Sequence, residues 1–460
     1  MKINYGLLNG AVLQRDENGF CKCIFGAEAF GEIKTSLGKF EKINENAYIL
    51  SGIPIGGPYE IIISDDKESL TLSDIYVGDL WLLAGQSNME GAGKHRGKYK
   101  LYDENPLADV RAYYMNESWG AAKTQLHQLW ESIDECIRAP YRNYRKKSPW
   151  GEEFPKVQTD GVGPGLYFAL EMRKLTEGVP QGVIPCGVGG SNLKQWDPDG
   201  VDNLYSAAKR RVKECGSYIK GVFWHQGESQ TDIPGIESFI SDMKKLVSGM
   251  RRDFCDEKLP FVEVQINKFV ACYSDIPWSR TRELQRILEN YIDNLTTVYS
   301  VDLELDDLIH LSSESHEILG FRAAEAMNYL ITGKGEASPS FDSFEIVEDD
   351  FVPFRSNIRV NFKNIKGELT SLGVPSGFSI HEKEDGAPLR AVSRLCLEGD
   401  SVRIKTEIDA EKLSECYICY GFGNSFYCNI TDTGRRSIPA FGPLKIKDFL
   451  KKEKDYGSNL

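Results

Sequence analysis

The sequence predicts an α/β protein, a doubly wound parallel sheet with a β-rich unit at each end. Three observations carry this. Between residues 76 and 335, short apolar runs alternate with segments of helical spacing, the signature of parallel strands joined by helices. Before residue 75 and after residue 336, the apolar residues follow a two-residue period broken by turns. A chain of 460 residues also exceeds what one ordinary core accommodates. The expected units are 1–75, 76–335 and 336–460.

Residues 1–75 read as a small antiparallel unit. Ala11 to Arg15, Tyr48 to Leu50 and Tyr59 to Ile63 have strand composition, and Asp16 to Gly19 and Gly56-Gly57-Pro58 have turn composition. The run Trp81 to Ala84 reads as a buried strand ending at Gly85. Gly182 to Cys186, Gly221 to Trp224, Phe261 to Ile266 and Val298 to Val301 read as the further strands. The helices are expected at Ala169 to Leu175, Leu204 to Cys215, Ile236 to Phe254, Arg280 to Ile292 and Gly320 to Leu330. Residues 94–158 are rich in Tyr, Trp, Arg and Lys and break the alternation; they read as an irregular insertion or a wall of a substrate cleft. Ile358 to Phe362, Val402 to Lys405 and Cys416 to Tyr420 read as strands of the last unit, and the charged tail after 447 reads as frayed.

Composition narrows the function. Hydrophobic content of 41% and charged content of 27% are those of a soluble globular protein. A net charge of −13 argues against a nucleic-acid partner, which needs a basic face. No apolar run approaches the roughly 18 residues of a membrane span. The first residues lack the apolar core of a secretory signal, and the eleven cysteines lack zinc spacing. Reduced, structural thiols fit a cytoplasmic enzyme without a metal.

Four stretches at predicted strand ends carry chemistry. In Gly85-Gln86-Ser87-Asn88-Met89, a serine follows a strand and a glycine, where open α/β sheets place their ligands. The same Ser-Asn pair could cap a helix instead. Gly187-Val188-Gly189-Gly190-Ser191 can bring a backbone N–H to a reacting oxygen with no side chain in the way. In Trp224-His225-Gln226-Gly227-Glu228-Ser229, the Gln226 amide can donate to an oxyanion and Glu228 can orient a group behind it. In Asp306-Asp307-Leu308-Ile309-His310, a carboxylate three residues before a histidine can fix its tautomer and free Nε2 to take a serine proton. Asp306 is one residue too far. His316 reads as a helix-entry residue, and His95, His127 and His381 as structural.

In this order the four stretches resemble the motif blocks of the SGNH hydrolases, and most closely the sialate O-acetylesterase-like carbohydrate esterases. The resemblance covers nearly the whole chain, including both β flanks. It implies a flavodoxin-like core and a Ser-His-Asp triad of Ser87, His310 and Asp307. It implies an oxyanion hole from Ser87, Gly189, Gly190 and Gln226, with no cofactor, and Glu228, Gln86 and Asn88 are expected to support the site. The implied substrate is an O-acetylated sugar, O-acetylsialic acid first and acetylated xylan or xyloglucan fragments second. A carbohydrate-binding protein on a degenerate hydrolase core would lack a triad member, and here none is missing. His225 departs from the many relatives that have Tyr there, which bears on substrate preference.

Overall fold

The computed structural model describes residues 1–140, 161–270, 276–349, 352 and 355–451. The readings of 94–158 and of the tail after 447 therefore lie partly outside the described residues. Seven strands form the spine of the central sheet: β1 (Ser69–Gly85), β2 (Val110–Tyr113), β3 (Trp119–Ala121), β4 (Gln181–Pro185), β5 (Gly221–His225), β6 (Phe261–Gln265) and β7 (Leu295–Tyr299). Their order is β3-β2-β4-β1-β5-β6-β7, and every pairing is parallel except β2 with β3. Numbered among themselves, β1 and β4 to β7 stand 2-1-3-4-5, which puts the switch point of the winding beside β1.

Alternation along β1 builds both faces. Leu80, Leu82 and Ala84 belong to a core with helices Leu204–Glu214 and Ile233–Asp253. Trp81 and Leu83 point the other way, into a core with Gly165–Leu175 and Ser313–Thr332. Because both faces are covered, the strand reads as a continuous apolar run. Four helices, Gly165–Leu175, Ile233–Asp253, Ile276–Ile287 and Ser313–Thr332, begin earlier than their apolar pattern predicts. Ile233–Asp253 is capped by the Asp232 side chain on Gly235 N–H, and Ser313–Thr332 by Ser312 on Ser315 N–H.

The N-terminal residues grow out of the same strand. The first half of β1 pairs antiparallel with Gly56–Ser64, and Val12–Gln14 adds in parallel at Tyr76 to Gly78. Gly56-Gly57-Pro58 is thus not the expected turn but the start of a strand, with register shifts on both sides of Tyr59. Arg15 holds the buried Asp79 through two bonds of 2.8 Å, and Gln14 Oε1 accepts the Leu80 N–H at 2.8 Å. Beyond residue 336, Ser340–Glu348, Ser356–Lys363, Ser401–Thr406 and Val392–Glu398 form an antiparallel sheet. Buried Arg282 reaches into this part, donating to the carbonyls of Gly421 and Gly423 and lying over the Phe426 ring. No helix among the described residues is long and apolar enough to cross a membrane.

Candidate active site

Ser87 opens a single helical turn, Ser87–Glu90, immediately after β1. The strand ends at Gly85 because the backbone there has φ +136°, and a Cβ would meet His225 O at 2.1 Å. Both neighbours of Ser87 are buried and bonded to the loop after β5. The Gln86 N–H donates to His225 O at 2.9 Å, and its Oε1 accepts from the N–H groups of Ser229 (3.3 Å) and Gly227 (3.4 Å). Asn88 Nδ2 donates to Glu228 Oε1 at 2.8 Å.

The loop after β7 brings Asp307 and His310 to Ser87. His310 Nε2 stands 3.0 Å from Ser87 Oγ, and His310 Nδ1 stands 2.7 Å from Asp307 Oδ2. Asp307 Oδ1 accepts the N–H of Ile309 at 2.8 Å and of His310 at 2.7 Å. The carboxylate thus caps its own turn. Burial alone would raise the Asp307 carboxyl, but the bond from His310 and the two N–H donors outweigh it and hold it below the ordinary range. The Asp307 side chain is 53% exposed and that of His310 26%. Asp306 faces elsewhere, 4.0 Å from Lys94 Nζ.

The Gly187–Ser191 loop wraps the end of β1. Val188 N–H and Ser191 Oγ both donate to Gly85 O, at 3.0 and 3.2 Å. A Cβ on Gly189 would stand 3.5 Å from Ser87 Cβ, so this backbone lies against the serine. The Gly189 N–H donates to Glu90 Oε2 at 2.7 Å. Glu90 escaped the sequence reading, although a residue three positions after Ser87 on a helical turn shares its side. Gln226 is fully buried, and its Nε2 donates to Gln230 Oε1 (3.3 Å) and Ser191 O (3.4 Å). Both amide protons are thereby engaged. Gln230, also missed, accepts the Leu193 N–H at 3.1 Å.

Burial decides the other histidines. His225 is driven down to about 3 by burial, and His316 is pushed down by burial, with His225 and His310 nearby. His95 bonds Asp103 at 2.9 Å, and His381 Nδ1 stands 2.8 Å from Gly386 O. Among the described residues, no three His, Cys, Asp or Glu side chains are grouped to hold a metal ion.

Comparison with known proteins gives the chain a class. Residues 77–329 match the family described as carbohydrate esterase, sialic acid-specific acetylesterase. A probable carbohydrate esterase of Arabidopsis thaliana is 31% identical over 281 residues, 57% of this chain and 94% of that protein. The sialate O-acetylesterase of Homo sapiens is 22% identical over 304 residues, and the chain spans about half of its length (54%). The crystal structure of a carbohydrate acetylesterase from Xanthomonas citri shares the fold, with TM-score 0.71 and 21% identity over 96% of this chain and 99% of that one. The protein is a carboxylic ester hydrolase. The chain belongs to the sialic acid-specific acetylesterase family of carbohydrate esterases.

Proposed function

We propose that the protein is a serine esterase that removes O-acetyl groups from sugars, O-acetylated sialic acid foremost. The observation that supports it best is the row Ser87 Oγ, His310 Nε2, His310 Nδ1 and Asp307 Oδ2, with spacings of 3.0 and 2.7 Å. Ser87 Oγ attacks the acetyl carbonyl while His310 takes its proton, and Asp307 holds the imidazolium. The tetrahedral intermediate collapses, the sugar oxygen leaves with the proton from His310, and the acetyl group stays on Ser87. Water, deprotonated by His310, then attacks the acetyl-enzyme and releases acetate.

The developing oxyanion is received by the N–H of Ser87, N–H groups of Gly189 or Gly190, and the Gln226 amide. For Gly189 the Glu90 carboxylate must first turn away, because a carboxylate at that N–H repels an oxyanion. For Gln226 one of the two bonds to Ser191 and Gln230 must open. The strand order 2-1-3-4-5 with the serine after the first strand supports an SGNH-type core. We also propose the three units 1–75, 76–335 and 336–460, with both flanks docked on the core.

Acetate release measured by mass spectrometry against a panel of acetylated sugars tests the substrate. Turnover of O-acetylsialic acid that is lost in Ser87→Ala supports the reading. Turnover of acetylated xylo-oligosaccharides alone would move the protein to the second substrate class. No hydrolysis of any acetyl ester would overturn the esterase site.

A further inference from the structure

Glu228 lies buried behind Ser87, with its side chain 2% exposed. One of its oxygens accepts from Asn88 Nδ2 at 2.8 Å. The other, Oε2, is buried with no hydrogen-bond partner among the described residues. His225 Nε2 stands 3.8 Å from Oε1. Burying a carboxyl with one oxygen unpaired is unfavourable.

Asn88 connects that carboxyl to the base. Its Oδ1 accepts the Leu311 N–H at 3.0 Å, and its Nδ2 lies 3.4 Å from Ile309 O. Residues 309 and 311 flank His310, so a single amide grips the backbone on both sides of the imidazole. An asparagine amide can be turned over, which would exchange its donor and its acceptor. In the turned orientation Oδ1 would face the Glu228 carboxylate and Nδ2 would face the Leu311 N–H. Both contacts would then be repulsive. An acceptor at position 228 therefore reinforces the one orientation that holds the His310 loop.

We infer that Glu228 is a positioning residue for His310, acting through the Asn88 amide rather than by touching the reacting atoms. That role rests on His310 being the base. Misplacing a catalytic group by about 1 Å can cost on the order of a hundredfold in rate, so a lost clamp should be visible in kcat.

Full-length wild type, Ser87→Ala, His310→Ala, Glu228→Ala, Glu228→Gln, Asn88→Ala and the Glu228→Ala/Asn88→Ala double variant are assayed on 4-nitrophenyl acetate. Glu228→Ala should lower kcat by roughly ten- to a hundredfold with KM nearly unchanged. Glu228→Gln, whose amide oxygen still accepts from Asn88, should recover most of that loss. The double variant should lose no more than Asn88→Ala alone, because the two residues act in series. Equal losses in Glu228→Gln and Glu228→Ala would show that the charge matters, not the orientation, and would overturn the inference. So would additive losses, or an unchanged kcat in Glu228→Ala. If Glu228→Ala fails to fold by circular dichroism, Glu228→Gln decides: a kcat as low as that of Asn88→Ala overturns the inference, and a kcat well above it supports the inference. Activity surviving in Ser87→Ala or His310→Ala would instead overturn the triad itself.

Discussion

Asp307 grips His310 twice, taking its backbone N–H on one oxygen and facing its ring Nδ1 with the other, each at 2.7 Å. Asp306 bonds the same residue only through the main chain, its N–H donating to His310 O at 2.9 Å. The two neighbouring acids therefore make separable predictions. Asp307→Asn should lose on the order of 10⁴ in kcat, because an amide supports the wrong tautomer. It should also loosen the turn, since an amide oxygen is a weaker acceptor for the Ile309 and His310 N–H groups. Asp306→Asn should stay near wild type. Equal losses, on proteins of unchanged circular dichroism, would reassign the acid.

Ser87→Ala removes one hydroxyl from a half-buried turn, so the fold should remain intact. Hydrolysis of 4-nitrophenyl acetate should disappear, and no acetyl adduct should form on the protein in intact-mass measurements. Turnover near that of wild type would exclude Ser87 as nucleophile.

Gln226→Ala should lower kcat by about 10²–10³ with KM little changed, the loss typical of one oxyanion donor. A change confined to KM would instead assign the amide to the support of Ser191 and Gln230, which it contacts in the resting structure.

His225 gives a pH-dependent stability. Burial holds its folded pKa down to about 3, while an unfolded histidine titrates near 6.5. Between those values the unfolded chain binds the extra proton, so the contribution of His225 to stability is complete above about 6.5 and is lost as pH falls. His225→Tyr removes this uptake. Its unfolding free energy, from urea titrations at several pH values, should fall less steeply than that of wild type by about 1.4 kcal/mol per pH unit in that window. Parallel curves would show that His225 takes up its proton without unfolding.

Arg282→Ala should loosen the last unit. Its guanidinium serves the carbonyls of Asn267, Gly421 and Gly423, and truncation leaves all three short of a buried donor. The loss should be on the order of 3 kcal/mol, read as a lower melting temperature. Limited proteolysis of wild type should not release an active 76–335 fragment; release of one would contradict the docking of the flanks.

The candidate site was legible because most of its parts follow the end of a buried strand. Apolar runs ending in glycine or a polar cluster locate Ser87, Gly189 and Gln226, while His310, well past the end of β7, is picked out by the three-residue spacing that also selects Asp307 over Asp306. What the side chains do in the resting state was not legible. The bond from Gly189 to Glu90 and the engagement of Gln226 by Gln230 depend on how loops from different strands meet, and no period in the sequence encodes that. The strands Val110–Tyr113 and Trp119–Ala121 were missed for a simpler reason. They have four and three residues, too few for an alternation to stand out among aromatic neighbours. The long strand Ser69–Gly85 was seen only by its apolar half, because its first half alternates with exposed polar residues.

The distance along the chain between Ser87 and His310 has a consequence for biosynthesis. They are 223 residues apart, and the strands on either side of β1, namely β4 and β5, are themselves made well after it. A nascent chain therefore emerges with its serine first and its histidine last. Parallel pairing over such separations is slow, since loop closure precedes any gain from contact. On the proposed triad, every unfinished polypeptide carries the hydroxyl without its base, and hydrolysis would begin only once the last strand of the sheet has been laid down and the loop beyond it has reached back to the first.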